Sequence, residues 1–312
     1  MSVKSGLELF LAILNDVTLP IVVIAALGYV TQLWLKFDVG SFNRLQVYVV
    51  LPCFLFYYLS SASTSFSQVG TTAWFTVAQF LGLLAFGWAA AAMFHMPRST
   101  RPVLGLSAAF ANSGNFGIPV VVLAFGKDYI LYQAVIVSIH SILITSLGVI
   151  LISQEQMGWL KSIKKAFSTP IIPAVACGIL FNYFDIKLSN AVVTPIQIMG
   201  SAYTPLALFA LGAQLAISKW TITPKILTLG LCLRLIVAPA ATWFAVWLLD
   251  LPHGLADMLI VTASTPAGVL LAIICAEYQV HKELASSVVF ISTVLSPVFV
   301  TAFIFAVRVW PG

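Results

Sequence analysis

The residues best suited to chemistry in this chain lie together in the middle of an apolar stretch, residues 104–126. They are polar side chains interleaved with glycine and proline, namely Asn112, Ser113, Gly114, Asn115, Gly117 and Pro119. In hydrocarbon, each unpaired backbone N–H or C=O costs several kcal/mol, so an interrupted helix must be sheltered inside protein. Because interrupted helices near the bilayer midplane bind the substrates of secondary transporters, the pattern predicts a substrate site here.

Asn112 is the strongest candidate for a substrate contact within this first interruption. Its amide could donate to a carboxylate, and the exposed N–H groups and dipole of an interrupted helix favour an anion. Alternatively, Asn112 caps the helix that restarts after it. Ser113 and Asn115 could offer oxygen atoms to a cation or hydrogen bonds to a substrate, although for Asn115 the sequence favours satisfaction of freed backbone groups. The other residues of this interruption would either shape the irregular backbone or serve helix packing. They are Gly114, Gly117 and Pro119.

A second interruption lies in another apolar stretch, at residues 264–268, where the sequence is STPAG. Thr265 could donate to the same substrate or to a carbonyl of its own helix, and the sequence leaves both open. Pro266 and Gly268 would make the backbone irregular, as in the first interruption. The two interruptions together predict one site built from both. Neither contains Asp or Glu, so a tight sodium site is not evident from these residues.

Three isolated polar residues in other apolar segments are further candidates. A buried glutamine needs partners, so Gln214 is either a substrate contact or an interhelical hydrogen bond. Arg234 could attract an anionic substrate, and a structural or gating ion pair with Asp250, Asp257 or Glu277 is the favoured alternative. His140 could carry a coupling proton because imidazole titrates near neutral pH, although a lone histidine in an apolar helix is more often a hydrogen-bonded packing residue.

The composition predicts that lipid is the solvent for most of the chain. The sequence is 61% apolar and 8% charged, with a mean hydropathy of +1.04, whereas soluble domains carry roughly 25% charged residues. A hydrocarbon core about 30 Å thick needs roughly 20 apolar residues per helix. We therefore expect an all-α membrane protein with ten transmembrane helices, near residues 9–35, 42–60, 72–94, 101–126, 129–153, 169–184, 191–217, 224–249, 255–276 and 284–307.

The distribution of lysine and arginine predicts the orientation of these ten spans. Alternate loops place four cationic residues on one side, namely Lys4, Lys127, Lys187 and Arg308. All others except Arg234 fall on the opposite side, which should be cytoplasmic, so both termini should be non-cytoplasmic. The longest loop, residues 154–168, is expected to be a cytoplasmic amphipathic linker at the membrane interface.

That linker divides the chain into two five-helix repeats, residues 1–153 and 169–312. The segment TLPIVVIAALGYV of the first span resembles TPIIPAVACGILF of the sixth, and the interruptions fall in the fourth and ninth spans. Because each half has an odd number of spans, the halves must face opposite ways. The sequence therefore predicts a 5+5 inverted repeat with crossed, broken helices 4 and 9, the plan that points to a transporter's binding site.

Other function classes lack their usual residues. No GxxxxGK[ST] loop is present for an ATP-driven pump, and no HExxH motif, aspartate pair or facing Ser/His pair indicates a membrane enzyme. The four cysteines are isolated, so no metal site or cofactor is expected. The net charge of +5 comes from short loops and does not indicate nucleic acid. A carrier is favoured, and a channel or receptor stays open.

Three motifs in this order resemble the auxin efflux carrier family, which includes plant PIN carriers and bacterial malonate and malate permeases. They are FNR at residues 42–44 followed by Leu51 and Pro52, the N-x-x-x-x-G-I-P pattern at residues 112–119, and AEYQVH at residues 276–281. The resemblance runs nearly end to end. It implies a fold like that of bile-acid symporters, with a scaffold of spans 1, 2, 6 and 7 and a transport domain of spans 3–5 and 8–10.

The resemblance also implies a function, a secondary transporter that moves an organic carboxylate anion, malate-, malonate- or auxin-like, by an elevator mechanism. Residues 269–271 lack the second proline of plant members, which favours a substrate of the bacterial type and a bacterial inner membrane. The implied partners are the anion, the lipid bilayer, a coupling ion (H⁺ or Na⁺) and a second copy in a homodimer. The alternative is a sodium-coupled symporter of the bile-acid type.

Overall fold

The structure, a computed structural model, describes residues 6–61, 66–153, 170–218 and 224–309. The predicted linker, residues 154–168, lies outside these ranges. Within them the chain forms twelve helices and no strand. They are α1 (Gly6–Leu35), α2 (Val39–Ser60), α3 (Phe66–Met93), α4 (Arg101–Ala109), α5 (Ser113–Phe125), α6 (Lys127–Ser153), α7 (Ile171–Tyr183), α8 (Asn190–Ile217), α9 (Pro224–Leu248), α10 (His253–Ala263), α11 (Val269–Glu277) and α12 (Lys282–Val309).

Seven helices in the described part of the chain are long and apolar enough to cross a membrane: α1, α2, α3, α6, α8, α9 and α12. The prediction of an all-α membrane protein is confirmed. Ten complete crossings stay a prediction, because the fourth and ninth predicted spans are each divided into two short helices. In addition, α7 has 13 residues, fewer than the roughly 20 that a straight crossing needs.

Close backbone contact joins α1 to α8. A Cβ atom at Gly28 would lie 2.0 Å from the carbonyl oxygen of Phe209, and one at Gly212 would lie 1.7 Å from that of Ala25. Only glycine permits such an approach, which replaces side-chain packing with backbone contact, as is common between membrane helices. Helix α2 packs against α7 and α8, so α1, α2, α7 and α8 form what we call the first helical group.

The second helical group contains α3–α6 and α9–α12. Here α3 packs against α4 and α6, α9 against α10, and α11 against α12. The half-helix α4 is buried from Pro102 to Ala109, and α10 is buried along most of its length. A helix that is apolar all round belongs in an interior, so both half-helices that lead into the interruptions are sheltered, as their unpaired backbone requires.

Four of the helices contain a π-helical turn that ends two residues before a proline. The turns are followed by Pro20, Pro52, Pro119 and Pro239, and they cover Leu14–Thr18, Gln46–Val50, Ser113–Gly117 and Leu233–Val237. A proline has no N–H and its ring clashes with the carbonyl four residues before it, and a wider turn relieves both problems. Three of these turns carry polar residues of the site described next: Gln46, Asn115 and Arg234.

Candidate functional site

The two interruptions meet and pair their backbones. The N–H of Asn112 donates to the carbonyl of Pro266 at 2.8 Å, and the N–H of Gly268 donates to the carbonyl of Phe110 at 2.9 Å. The pair forms an isolated antiparallel bridge in the middle of the helices. Each interruption thereby satisfies part of the backbone that the other leaves free, which is the requirement inside a membrane.

Two glycines permit the close packing of this crossing. A Cβ atom on Gly268 would lie 2.2 Å from the ring of Phe110, and one on Gly117 would lie 2.6 Å from the side-chain amide nitrogen of Gln133. Gly268 has an extended backbone with a φ of −71°, so its need for glycine comes from space rather than from conformation. For these two positions the structure favours the packing role over a direct substrate contact.

Asn112 lies at the junction between the bridge and α5. Its side chain is 6% exposed and makes no capping hydrogen bond to α5, so the capping interpretation is not what the structure shows. Its main-chain carbonyl accepts from the N–H of Gly117 at 2.9 Å. The Nδ2 atom of Asn112 has no hydrogen-bond partner among the described residues. A buried amide donor without a partner is costly, which makes this atom the clearest candidate for a substrate contact.

A chain of hydrogen bonds connects Ser113 to α6 and α10. The Oγ of Ser113 is 3.1 Å from Nδ1 of His140, and its carbonyl accepts from Nε2 of Gln133 at 2.7 Å. The Oε1 of Gln133 in turn accepts from the hydroxyl of Thr262 at 2.8 Å. The Nε2 of His140 is buried without a partner in the described part of the chain. Sequence reasoning missed Gln133 and Thr262, whose polarity inside apolar segments was their available signal.

Asn115 joins the two helical groups. Its Oδ1 accepts from Nε2 of Gln46 on α2 at 3.0 Å and from the hydroxyl of Tyr203 on α8 at 3.3 Å. Side chains of the other group therefore occupy this oxygen, and the expected bond to freed backbone groups stays a prediction for the amide nitrogen. Gly114 lies beside this contact, since a Cβ there would be 3.4 Å from the Tyr203 hydroxyl. Gln46 and Tyr203 were also missed from the sequence.

Arg234 bridges the two half-helices that end at the crossing. Its Nη1 donates to the carbonyl of Ala108 on α4 at 2.7 Å, and its Nη2 donates to the carbonyl of Ala263 on α10. In place of the expected ion pair with a carboxylate, the hydrogen bonds that the structure shows for the guanidinium go to main-chain carbonyls. The reason is geometric, since both half-helices end within reach of the π turn that carries Arg234.

The remaining predicted residues have structural roles of different kinds. The hydroxyl of Thr265 donates to the carbonyl of Thr262 at 2.7 Å, within its own helix, so of the two open roles the structure shows the backbone bond. Pro266 contributes its carbonyl to the bridge, and Pro119 lies in the first turn after the π turn of α5. The Nε2 of Gln214 donates to Oδ1 of Asn43 at 2.9 Å, an interhelical bond inside the first group, and its Oε1 is buried without a partner among the described residues.

Positive groups at the crossing come from one buried side chain and from two helix N-termini. Among the described residues, Arg234 is the one buried side chain with a permanent charge, and it is 1% exposed. The helices α5 and α11 both begin at the crossing, so their positive dipole ends point into it. No group of three His, Cys, Asp or Glu side chains suited to a metal ion occurs in the described ranges. A separate groove of about 530 Å³ between α3 and α9 is lined mainly by apolar side chains.

Comparisons with known proteins agree with a transport role. A sequence profile described as a membrane transport protein matches residues 14–304. An uncharacterized transporter of Methanothermobacter thermautotrophicus is 25% identical over 290 residues, 90% of this chain and 94% of the relative. An uncharacterized transporter of Methanocaldococcus jannaschii is 24% identical over 302 residues, with the same coverage. A probable auxin efflux carrier component 5b of Oryza sativa subsp. japonica is 26% identical over 149 residues, 47% of this chain and 40% of the relative.

Proposed function

Because this chain belongs to the membrane transport protein family, which is the auxin efflux carrier family, we propose that it is a secondary transporter for an organic carboxylate anion. The chain is a multi-pass membrane transporter and not an enzyme. The carboxylate class is our proposal, and it depends on the chemistry of the crossing. The proposed substrates are small malate- or malonate-like acids.

The observation that carries the proposal is the unpartnered, buried Nδ2 of Asn112 at the start of α5. An amide N–H and two converging helix N-termini donate hydrogen bonds and carry positive potential, and a carboxylate accepts such bonds with a negative charge. The free amide donor and the two helix N-termini support an anionic substrate over a cationic one.

We propose an elevator mechanism in which the first helical group is the scaffold and the second carries the substrate. The backbone contact between α1 and α8 supports a rigid first group. The contacts of Asn115 with Gln46 and Tyr203 cross the boundary between the groups, so they would break and reform during each cycle. The first group would take two spans, and the second group three, from each half of a 5+5 inverted repeat. That repeat, its ten spans and the non-cytoplasmic termini are further parts of the proposal.

The test is the Asn112→Ala variant with malonate and malate as probes. Thermal stabilisation of the purified wild type by either acid, together with saturable uptake into proteoliposomes, is the expected result. Loss of one charge-assisted hydrogen bond of about 1.5–3 kcal/mol should weaken binding by roughly 10- to 150-fold. Asn15→Ala is the matched control, because Asn15 is exposed and bonds to the neighbouring Asp16. Equal affinities of the Asn112→Ala variant and the wild type would refute the assigned contact.

A further inference from the structure

The crossing deprives two carbonyls of their helical donors. In a regular helix the carbonyl of Ala108 would accept from the N–H of Asn112, and that of Ala263 would accept from the N–H of Ala267. The Asn112 N–H is instead engaged by the facing interruption, and the Ala267 N–H donates to Oγ of Ser292 at 3.1 Å. Both half-helices therefore end with a carbonyl that has lost its partner in the same way.

Arg234 supplies both missing donors with one guanidinium. The two terminal nitrogens reach one carbonyl each, on α4 and on α10. A helix C-terminus carries roughly half a unit of negative charge, so two such ends together match the single charge of arginine. The side chain is 1% exposed, and in so sheltered a place an unmatched charge would be costly.

Carbonyl oxygens at the C-terminal ends of half-helices are groups that coordinate Na⁺ in membrane transporters. We propose that the ends of α4 and α10 form a monovalent-cation site that this chain fills permanently with the guanidinium of Arg234. The crossing is thus assembled without a bound metal ion. The consequence for transport, that uptake does not require sodium, rests on the proposed function, whereas the cation site itself does not.

A hydrogen-bonding role and a charge role for Arg234 predict different stabilities for its lysine and glutamine variants. Glutamine keeps N–H donors without the charge, and lysine keeps the charge with a point-like ammonium in place of the planar fork. If the site requires a cation, Arg234→Lys should be more stable than Arg234→Gln. An equal loss of stability in both variants, or a more stable glutamine variant, would overturn the proposal.

Chemical rescue tests the site independently of any substrate. The Arg234→Ala variant should unfold roughly 5 to 10 °C below the wild type, because two buried carbonyls lose their donors. Guanidinium at about 10 mM, a concentration far below the denaturing range, should restore at least about half of that loss by binding the folded state. The wild type should unfold at the same temperature in sodium chloride and in choline chloride.

Arg308→Ala is the matched control, because Arg308 donates to the carbonyl of Ala124 at 3.0 Å from an exposed position. It should lose little stability and gain none with guanidinium. Equal responses of the two alanine variants to guanidinium, or stabilisation of the wild type by Na⁺ and not by choline, would overturn the proposal. If Arg234→Ala does not fold, two other measurements still test the proposal. One compares the melting temperature of the wild type in the two salts, and the other compares the stabilities of Arg234→Lys and Arg234→Gln.

Transport is measured separately, as malonate uptake into proteoliposomes with sodium or choline as the cation. Equal uptake in the two salts is expected, and uptake that requires sodium would overturn the sodium-independent mechanism. An absence of malonate or malate uptake in both salts would contradict the proposed function, whereas the thermal measurements would still decide the cation site.

Discussion

The contact between α1 and α8 can be tested with a single methyl group. Gly212→Ala places a Cβ 1.7 Å from the carbonyl oxygen of Ala25, where the wild type has only hydrogen atoms. Side-chain carbons keep at least 3.0 Å from such an atom, so the two backbones must separate by more than about 1 Å. No rotamer change relieves this clash, because the obstacle is main chain and the added group has no rotatable bond.

The expected loss of stability of Gly212→Ala is the difference between two opposing terms. Overpacking of a well-packed interior costs about 1–3 kcal/mol, and we expect the upper half of that range because the obstacle is backbone. Replacing glycine with alanine inside a helix stabilises the folded state by about 0.5–1 kcal/mol. The net loss of about 2 kcal/mol should lower the melting temperature by about 3 °C in a chain of 312 residues. Thermal unfolding of the purified protein in detergent measures it.

Gly82→Ala is the matched control for this prediction. Gly82 lies in α3, and a Cβ there would have no atom within 4 Å. This variant gains the helical preference of alanine without a clash, so its melting temperature should stay level or rise by up to about 2 °C. If Gly212→Ala unfolds at the same temperature as Gly82→Ala, α1 and α8 are not in backbone contact, and the rigid first group is refuted.

Two further predictions concern side chains with defined partners. In a double-mutant cycle, Gln46→Ala and Asn115→Ala should show a coupling of about 0.5–1.5 kcal/mol in thermal unfolding, since their 3.0 Å hydrogen bond joins the helical groups; strictly additive effects would argue against that bond. Asp38, which caps α2, has a pKa below its usual 3.8 because the Ser41 hydroxyl and the N–H groups of Gly40 and Ser41 donate to its carboxylate. Its stabilising contribution is therefore present above pH 3.8 and is lost as the pH falls through the lowered pKa in the folded state. The difference in melting temperature between the wild type and Asp38→Asn should accordingly shrink on acidification, and a constant difference would contradict the role of the charge.

Sequence patterns were sufficient to predict the class of the fold and the positions of the two interruptions. Long apolar runs predict helices in lipid because each run is a local property of about 20 residues. Proline and glycine likewise act on the backbone where they stand, so residues 112–119 and 264–268 could be identified as irregular without knowledge of the fold. The crossing of the two segments required the additional inference of a repeat, and the structure shows that their backbones pair.

The hydrogen-bond partners could not be predicted in the same way. Gln46 and Asn115 are separated by 69 positions, and Arg234 and Ala108 by 126. Two of the three carboxylates proposed for Arg234, Asp250 and Asp257, lie nearer to it in sequence than either carbonyl, and charge alone favours them. The carbonyls were not candidates, because a main-chain acceptor becomes free only when its own helix is interrupted at that residue, and only packing shows which donor then reaches it.

The sequence by itself therefore determined that the chain folds into apolar helices suited to a membrane and where two of them break, since hydropathy and backbone propensity are local. Only the tertiary structure decided which polar groups at the breaks are satisfied and which stay free. Thr265 bonds within its own helix, Asn115 is taken by the opposite group, and Nδ2 of Asn112 has no partner among the described residues. The physical reason is that a buried hydrogen bond depends on distance and direction between segments far apart in the chain.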